Sequence, residues 1–88
     1  MGLVHLSNGK TAVEWSQSSN EKPNVNQWYQ TIDSESDYWK IRKDFRNPET
    51  GETFYRIVEY YNGEDMYHGC SLDECRRIMK EYTYRKVM

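Results

Sequence analysis

The 88-residue sequence has little of the cysteine and histidine on which metal and nucleophilic sites most often rely. It contains two cysteines, two histidines and two prolines. No apolar run approaches the roughly 18 residues that a membrane-crossing helix needs, and the N-terminus lacks the apolar core and cleavage pattern of a signal peptide. A cytoplasmic protein is therefore expected. Cys70 and Cys75 lie astride an expected helix start, a poor place for a bridge that would stabilise a secreted domain, so reduced thiols are the simpler reading. Aliphatic side chains are scarce too: three Leu, four Ile, five Val and one Ala stand against thirteen aromatic residues, eight of them Tyr. The core must be largely aromatic, with a half-wet boundary where tyrosine rings are buried and their hydroxyls are not.

A chain of this length supports one modest core and hence a single domain, residues 1–88. The net charge of −2 is too small to impose a strong field. Residues 71–88 are its mildly basic part.

Residues 3–15 read as a short β-hairpin around Asn8-Gly9, a pair suited to tight turns that need positive φ. Residues 16–37 read as a polar linker and anchor segment: 16–26 have little to bury, the spacing of Trp28, Tyr29 and Ile32 fits either one helical turn or an irregular anchor onto the main sheet, and 33–37 make an acidic loop. From Tyr38 the pattern sharpens. Trp39, Ile41 and Phe45 alternate with Lys40, Arg42 and Asp44 at the period of a half-buried strand over 38–45. Residues 47–51, with Pro48 and Gly51, predict a turn. A central strand follows over 53–61, with Phe54, Val58 and Tyr60 on one face and Tyr55, Ile57 and Tyr61 on the other. Asn62-Gly63 predicts a tight turn into a third strand over 66–70.

Ser71 and Glu74 form a capping box. Leu72, Cys75, Ile78, Met79 and Tyr82 then make an apolar stripe predicting a helix over 72–84, supported by Asp73 with Arg77 and Glu81 with Arg85 at i,i+4 spacing. The expected fold class is α+β: a three-stranded antiparallel meander (38–70) packed by one C-terminal helix, preceded by an N-terminal hairpin.

No motif carries catalysis. Gly9-Lys10-Thr11 lacks the earlier glycine of a phosphate-binding loop, Val4 standing in its place. His5, His68, Cys70 and Cys75 do not have the paired spacing that zinc prefers. Cys70 near a helix N-terminus has a route to a lowered pKa, but no base and oxyanion site are visible beside it. No enzyme activity, metal or cofactor is predicted.

Two binding readings follow. Lys40, Arg42, Lys43 and Arg46 interleave with Trp39 and Phe45, and Arg56 adds to them, which is a composition able to hold phosphates and stack on bases. In element order over 38–84, this segment resembles the small DNA-binding domains of the AP2 type, which implies a sheet inserted in the major groove. Against that, six carboxylates on 38–70 offset the five basic groups.

The leading expectation is a non-catalytic protein-binding accessory module, with aromatic anchors Trp28, Tyr29, Trp39, Tyr55, Tyr60, Tyr61 and Tyr67. The acidic turn residues Glu49, Glu52, Glu64 and Asp65 would steer a basic partner. In composition the chain resembles phage-encoded accessory proteins that inhibit host enzymes, which implies surface occlusion as the mode of action. A structural subunit that pairs through an open sheet edge is the third reading.

Overall fold

A computed structural model describes residues 3–5, 9–15, 20–34 and 36–87. Its elements are β1 (Leu3–His5), β2 (Thr11–Glu14), β3 (Tyr29–Gln30), β4 (Tyr38–Arg46), β5 (Thr53–Glu59), β6 (Asp65–Cys70), α1 (Leu72–Tyr82) and β7 (Tyr84–Val87). The main sheet is antiparallel in the order β3-β4-β5-β6, so the expected meander is present and gains β3 at its edge. The second sheet has the order β1-β2-β7.

The N-terminal hairpin is formed, with Leu3 opposite Val13 and His5 opposite Thr11. Asn8 of the predicted turn lies outside the described residues. Thr11 opens a strand rather than a helix, which removes the phosphate-loop reading of Gly9-Lys10-Thr11.

Both meander turns are four-residue loops. Asn47 N–H donates to the Glu52 carbonyl, and Glu59 N–H donates to the Glu64 carbonyl, each at 2.8 Å. The loops therefore comprise residues 48–51 and 60–63, and the tight two-residue turn predicted at Asn62-Gly63 is corrected to a longer one. In each loop the fourth position is a glycine with positive φ, Gly51 at 76° and Gly63 at 65°, where a side chain would be strained.

α1 starts as predicted, the Ser71 side chain accepting from Glu74 N–H at 3.1 Å. It stops two residues earlier than its stripe predicts. Thr83 turns extended, with its N–H still donating to the Met79 carbonyl, and β7 follows to pair with β2. Two predicted helix pairs change accordingly. Arg77 binds Glu74 at 2.6 Å and approaches Glu81 at 4.0 Å, while Arg85 lies on β7 and reaches Glu21 at 3.1 Å.

Cys75, Ile78 and Met79 bury the apolar stripe against Tyr29, Ile41 and Ile57, with Trp15, Trp39, Tyr55, Met66 and Leu72 packed around them. Each fully buried aliphatic here contributes roughly 1.5–3 kcal/mol relative to exposure. The segment predicted as linker is part of this packing where it is described. Pro23 is fully buried, its carbonyl accepting from Arg76 Nε at 3.1 Å, and Val25 bridges Ile41 in parallel. The hairpin is docked as well: Trp15 Nε1 donates to Thr83 Oγ1 at 3.2 Å, and its ring lies 5.8 Å from that of Tyr29.

Candidate functional site

Strand register decides which side chains face away from α1. Residues at even positions of β5 share one face, and Phe54, Arg56 and Val58 stand opposite Phe45, Arg42 and Lys40. A bulge at Asp44 shifts the alternation of β4, so Phe45 leaves the Trp39 and Ile41 face on which simple alternation places it. It stacks on Phe54 instead, with ring centroids 5.0 Å apart.

This helix-free face has three zones. At the 48–51 turn is the Phe45/Phe54 stack. In the middle Arg56 Nη1 lies 2.9 Å from Asp65 and 3.8 Å from Asp44, and Arg42 is exposed directly across from it. At the other end Tyr60 meets Trp28 edge-on at 5.1 Å and Tyr38 edge-on at 5.9 Å, with Lys40 Nζ 4.3 Å from the centre of the Trp28 ring. Tyr60 remains 59% exposed and Tyr61, beside it in the 60–63 loop, 74% exposed. These rings form a ledge at the end of the face that also carries Val58, which is buried although it faces away from the helix.

The remaining predicted anchors fall elsewhere. Tyr29 is a core residue, not a surface anchor: its ring is buried against Trp15 and its hydroxyl accepts from Asn24 N–H at 2.9 Å. Tyr55 and Trp39 pack on the helix side. Trp39 also gathers Tyr82 at 5.8 Å and Tyr67 at 6.5 Å, an aromatic group on the opposite side of the sheet from the ledge.

The acidic residues do not form one patch. Glu49 and Glu52 belong to one turn, Glu64 and Asp65 to the other, and the seven residues of β5 separate them by roughly 20 Å. Asp65 is further committed to Arg56. The basic residues are likewise divided. Lys43 and Arg46 stand opposite Tyr55 and Thr53 on the helix side, Arg46 Nε donating to the Gly51 carbonyl, whereas Lys40, Arg42 and Arg56 share the ledge face. Of those three, Lys40 is held on Trp28 and Arg56 is neutralised by two aspartates.

The thiols give no nucleophile of ordinary reactivity at Cys75. Burial, then the neighbouring Cys70 thiol and the Glu74 carboxylate, push its pKa up to about 12. Among the described residues no group of three or more His, Cys, Asp or Glu is placed to hold a metal ion, and no helix is long and apolar enough to cross a membrane.

Composition and period carry no sign of a cleft that opens where the two sheets meet. It measures about 380 Å³ and has aromatic walls from Trp28, Tyr29, Tyr38 and Tyr84, with Asn24, Gln27, Gln30 and Arg85 as its polar groups. A neighbouring cleft of about 330 Å³ shares Asn24, Tyr29 and Arg85 and adds Trp15, Glu21 and Lys22. The lining comes from residues far apart in sequence, brought together by the Thr31 to Thr83 bridge between the β3 and β7 regions. No protein-family model matches the chain, and neither does any curated protein or any solved structure, so its role has to be argued from this geometry.

Proposed function

We propose that the chain is a non-catalytic protein-binding module that engages its partner through the aromatic ledge of Trp28, Tyr38, Tyr60 and Tyr61. The supporting observation is that the exposed ring of Tyr60 is braced by the half-buried rings of Trp28 and Tyr38, with Tyr61 exposed beside it. Tyr60 is fixed edge-on between two aromatic neighbours, so little side-chain entropy is lost when a partner covers it. Rigid, amphipathic rings are the groups that dominate binding energy at protein interfaces. A module of this kind acts by covering part of its partner, and inhibition by occlusion is the simplest consequence. The nucleic-acid reading is weaker, because the basic groups are split over two faces and Arg56 is already neutralised by Asp44 and Asp65.

The test is affinity capture with mass spectrometry, comparing the tagged wild-type chain with Tyr60→Ser/Tyr61→Ser and with Tyr67→Ser on the opposite side. A protein retained by the wild type and by Tyr67→Ser but lost from the double variant supports the ledge. Equal retention by all three, or recovery of nucleic acid that salt releases, overturns it.

A further inference from the structure

The cleft between the sheets contains two buried hydrogen-bond donors without a partner. Gln30 is only 5% exposed, and its Nε2 has no hydrogen-bond partner among the described residues. The Nε of Arg85 is in the same condition. Both residues belong to the wall of the same cleft. Buried donors are paired in the great majority of cases, and each one left unpaired carries a cost that a bound acceptor would remove.

We infer that this cleft is a binding site for a carboxylate carried on a planar apolar body, either a small aromatic acid or the carboxyl end of a peptide. The donors define the charge. The two unpaired atoms, Arg85 Nε and Gln30 Nε2, are both N–H donors, so the complementary ligand group is an acceptor, and the guanidinium makes an anion the favoured one. Arg85 shows the chemistry on its other edge, where Nη1 lies 3.1 Å from the Glu21 carboxylate. Lys22 also lines the neighbouring cleft, but the Glu21 carboxylate on Arg85 opposes a second negative charge and so favours a monoanion over a phosphate dianion.

The rings of Trp28, Tyr29, Tyr38 and Tyr84 define the ligand body, and about 380 Å³ lies within the roughly 300–1,000 Å³ of small-molecule sites. Gln30 Nε2 is out of reach of solvent. Gln30 itself lines the cleft, and its terminal torsion is soft enough for the amide to turn toward an acceptor bound there. Tyr60 and Tyr61 do not line the cleft, but Tyr60 braces two of its walls, Trp28 and Tyr38, whereas Tyr61→Ser alone changes the ledge without removing a ring that touches the cleft wall.

The experiment is titration of the full chain, followed by NMR of the Gln30 side-chain amide and the Arg85 Nε–H. The probes are benzoate, benzamide, and a tripeptide ending in phenylalanine with either a free or an amidated terminus. Saturable shifts of both signals by benzoate or by the free-acid peptide, below about 20 mM, support the site. Benzoate alone identifies a small-molecule site, and the peptide alone a chain-end site. Arg85→Met should weaken binding about tenfold or more, and Glu21→Gln should strengthen it severalfold. If Arg85→Met fails to fold, Arg85→Lys serves, keeping the charge and losing the Nε–H. Absence of saturable shifts, equal binding of benzoate and benzamide, or unchanged affinity in the Arg85 variant overturns the proposal.

Discussion

Replacing Asp44 should loosen the region where the two strands flanking β5 are both irregular. Asp44 is the extra residue in β4 between the Lys43–Tyr55 and Phe45–Phe54 pairs. Across β5, residues 67–69 of β6 bulge opposite Arg56, with Tyr67 at φ 52° and Gly69 at φ 66°. The Asp44 carboxylate ties the two together, accepting from Gly69 N–H at 2.9 Å while its other oxygen lies 3.8 Å from Arg56. A hydrogen bond to a charged acceptor contributes about 1.5–3 kcal/mol, and the exposure of Gly69 selects the lower end. The partly exposed ion pair adds less than about 1 kcal/mol. Asp44→Ala should therefore cost about 2 kcal/mol, lowering Tm by roughly 10–15 °C in a chain of this size. Asp44→Asn keeps an acceptor for Gly69 and loses the charge, so it should cost about half as much. Urea unfolding of the three proteins provides the measurement. A cost under about 0.5 kcal/mol for Asp44→Ala, or an equal cost for both variants, would refute the view that this carboxylate clips the strands together.

Three further predictions concern other elements. Because the folded pKa of Cys75 is raised to about 12 from its ordinary 9.0, the unfolded chain ionises first. Cys75 therefore contributes stability in full below about pH 9 and loses it as pH rises toward 12, at up to about 1.4 kcal/mol per pH unit, a slope that Cys75→Ala should remove in urea titrations; identical slopes would count against it. Gly51→Ala and Gly63→Ala should each cost about 1–2 kcal/mol through positive φ, although a Cβ at Gly63 meets nothing within 4 Å; unfolding midpoints check this. Thr83→Val should cost about 1–3 kcal/mol by leaving Trp15 Nε1 unpaired, and a change in Trp15 fluorescence before global unfolding would show that the N-terminal hairpin loosens first.

The meander and helix were legible because their signals are local. Period-2 alternation around Trp39 and Ile41, glycines at 51 and 63, and Ser71 three residues before Glu74 each act within one element. β7 was not legible for a related reason: Glu81 and Arg85 sit at helical spacing, and only long-range contacts override them. Those contacts are the pairing of residues 84–87 with β2 and the bond from Trp15 to Thr83, made across sixty-eight positions. The bulge at Asp44 was equally hidden. One unpaired residue reverses the face of everything after it, and no residue type in Lys43-Asp44-Phe45 announces that reversal.

The same distinction explains why the ledge was partly foreseen and the cleft was not. Trp28, Tyr60 and Tyr61 attract notice by composition, since rings in a polar sequence demand either burial or a partner; Tyr29 met that demand by burial, Tyr60 by bracing. Gln30 and Arg85 carry no such mark, because a glutamine after a tyrosine and an arginine near a chain end read as ordinary solvated surface. Their meaning arises from burial that neither residue dictates. Tyr29 and Tyr84 are apolar enough to draw β3 and β7 into the packed interior, and each carries its polar neighbour in with it. A donor dragged below the surface by the residue beside it is costly to folding and useful to binding, so the least patterned positions in this chain define its most specific chemistry.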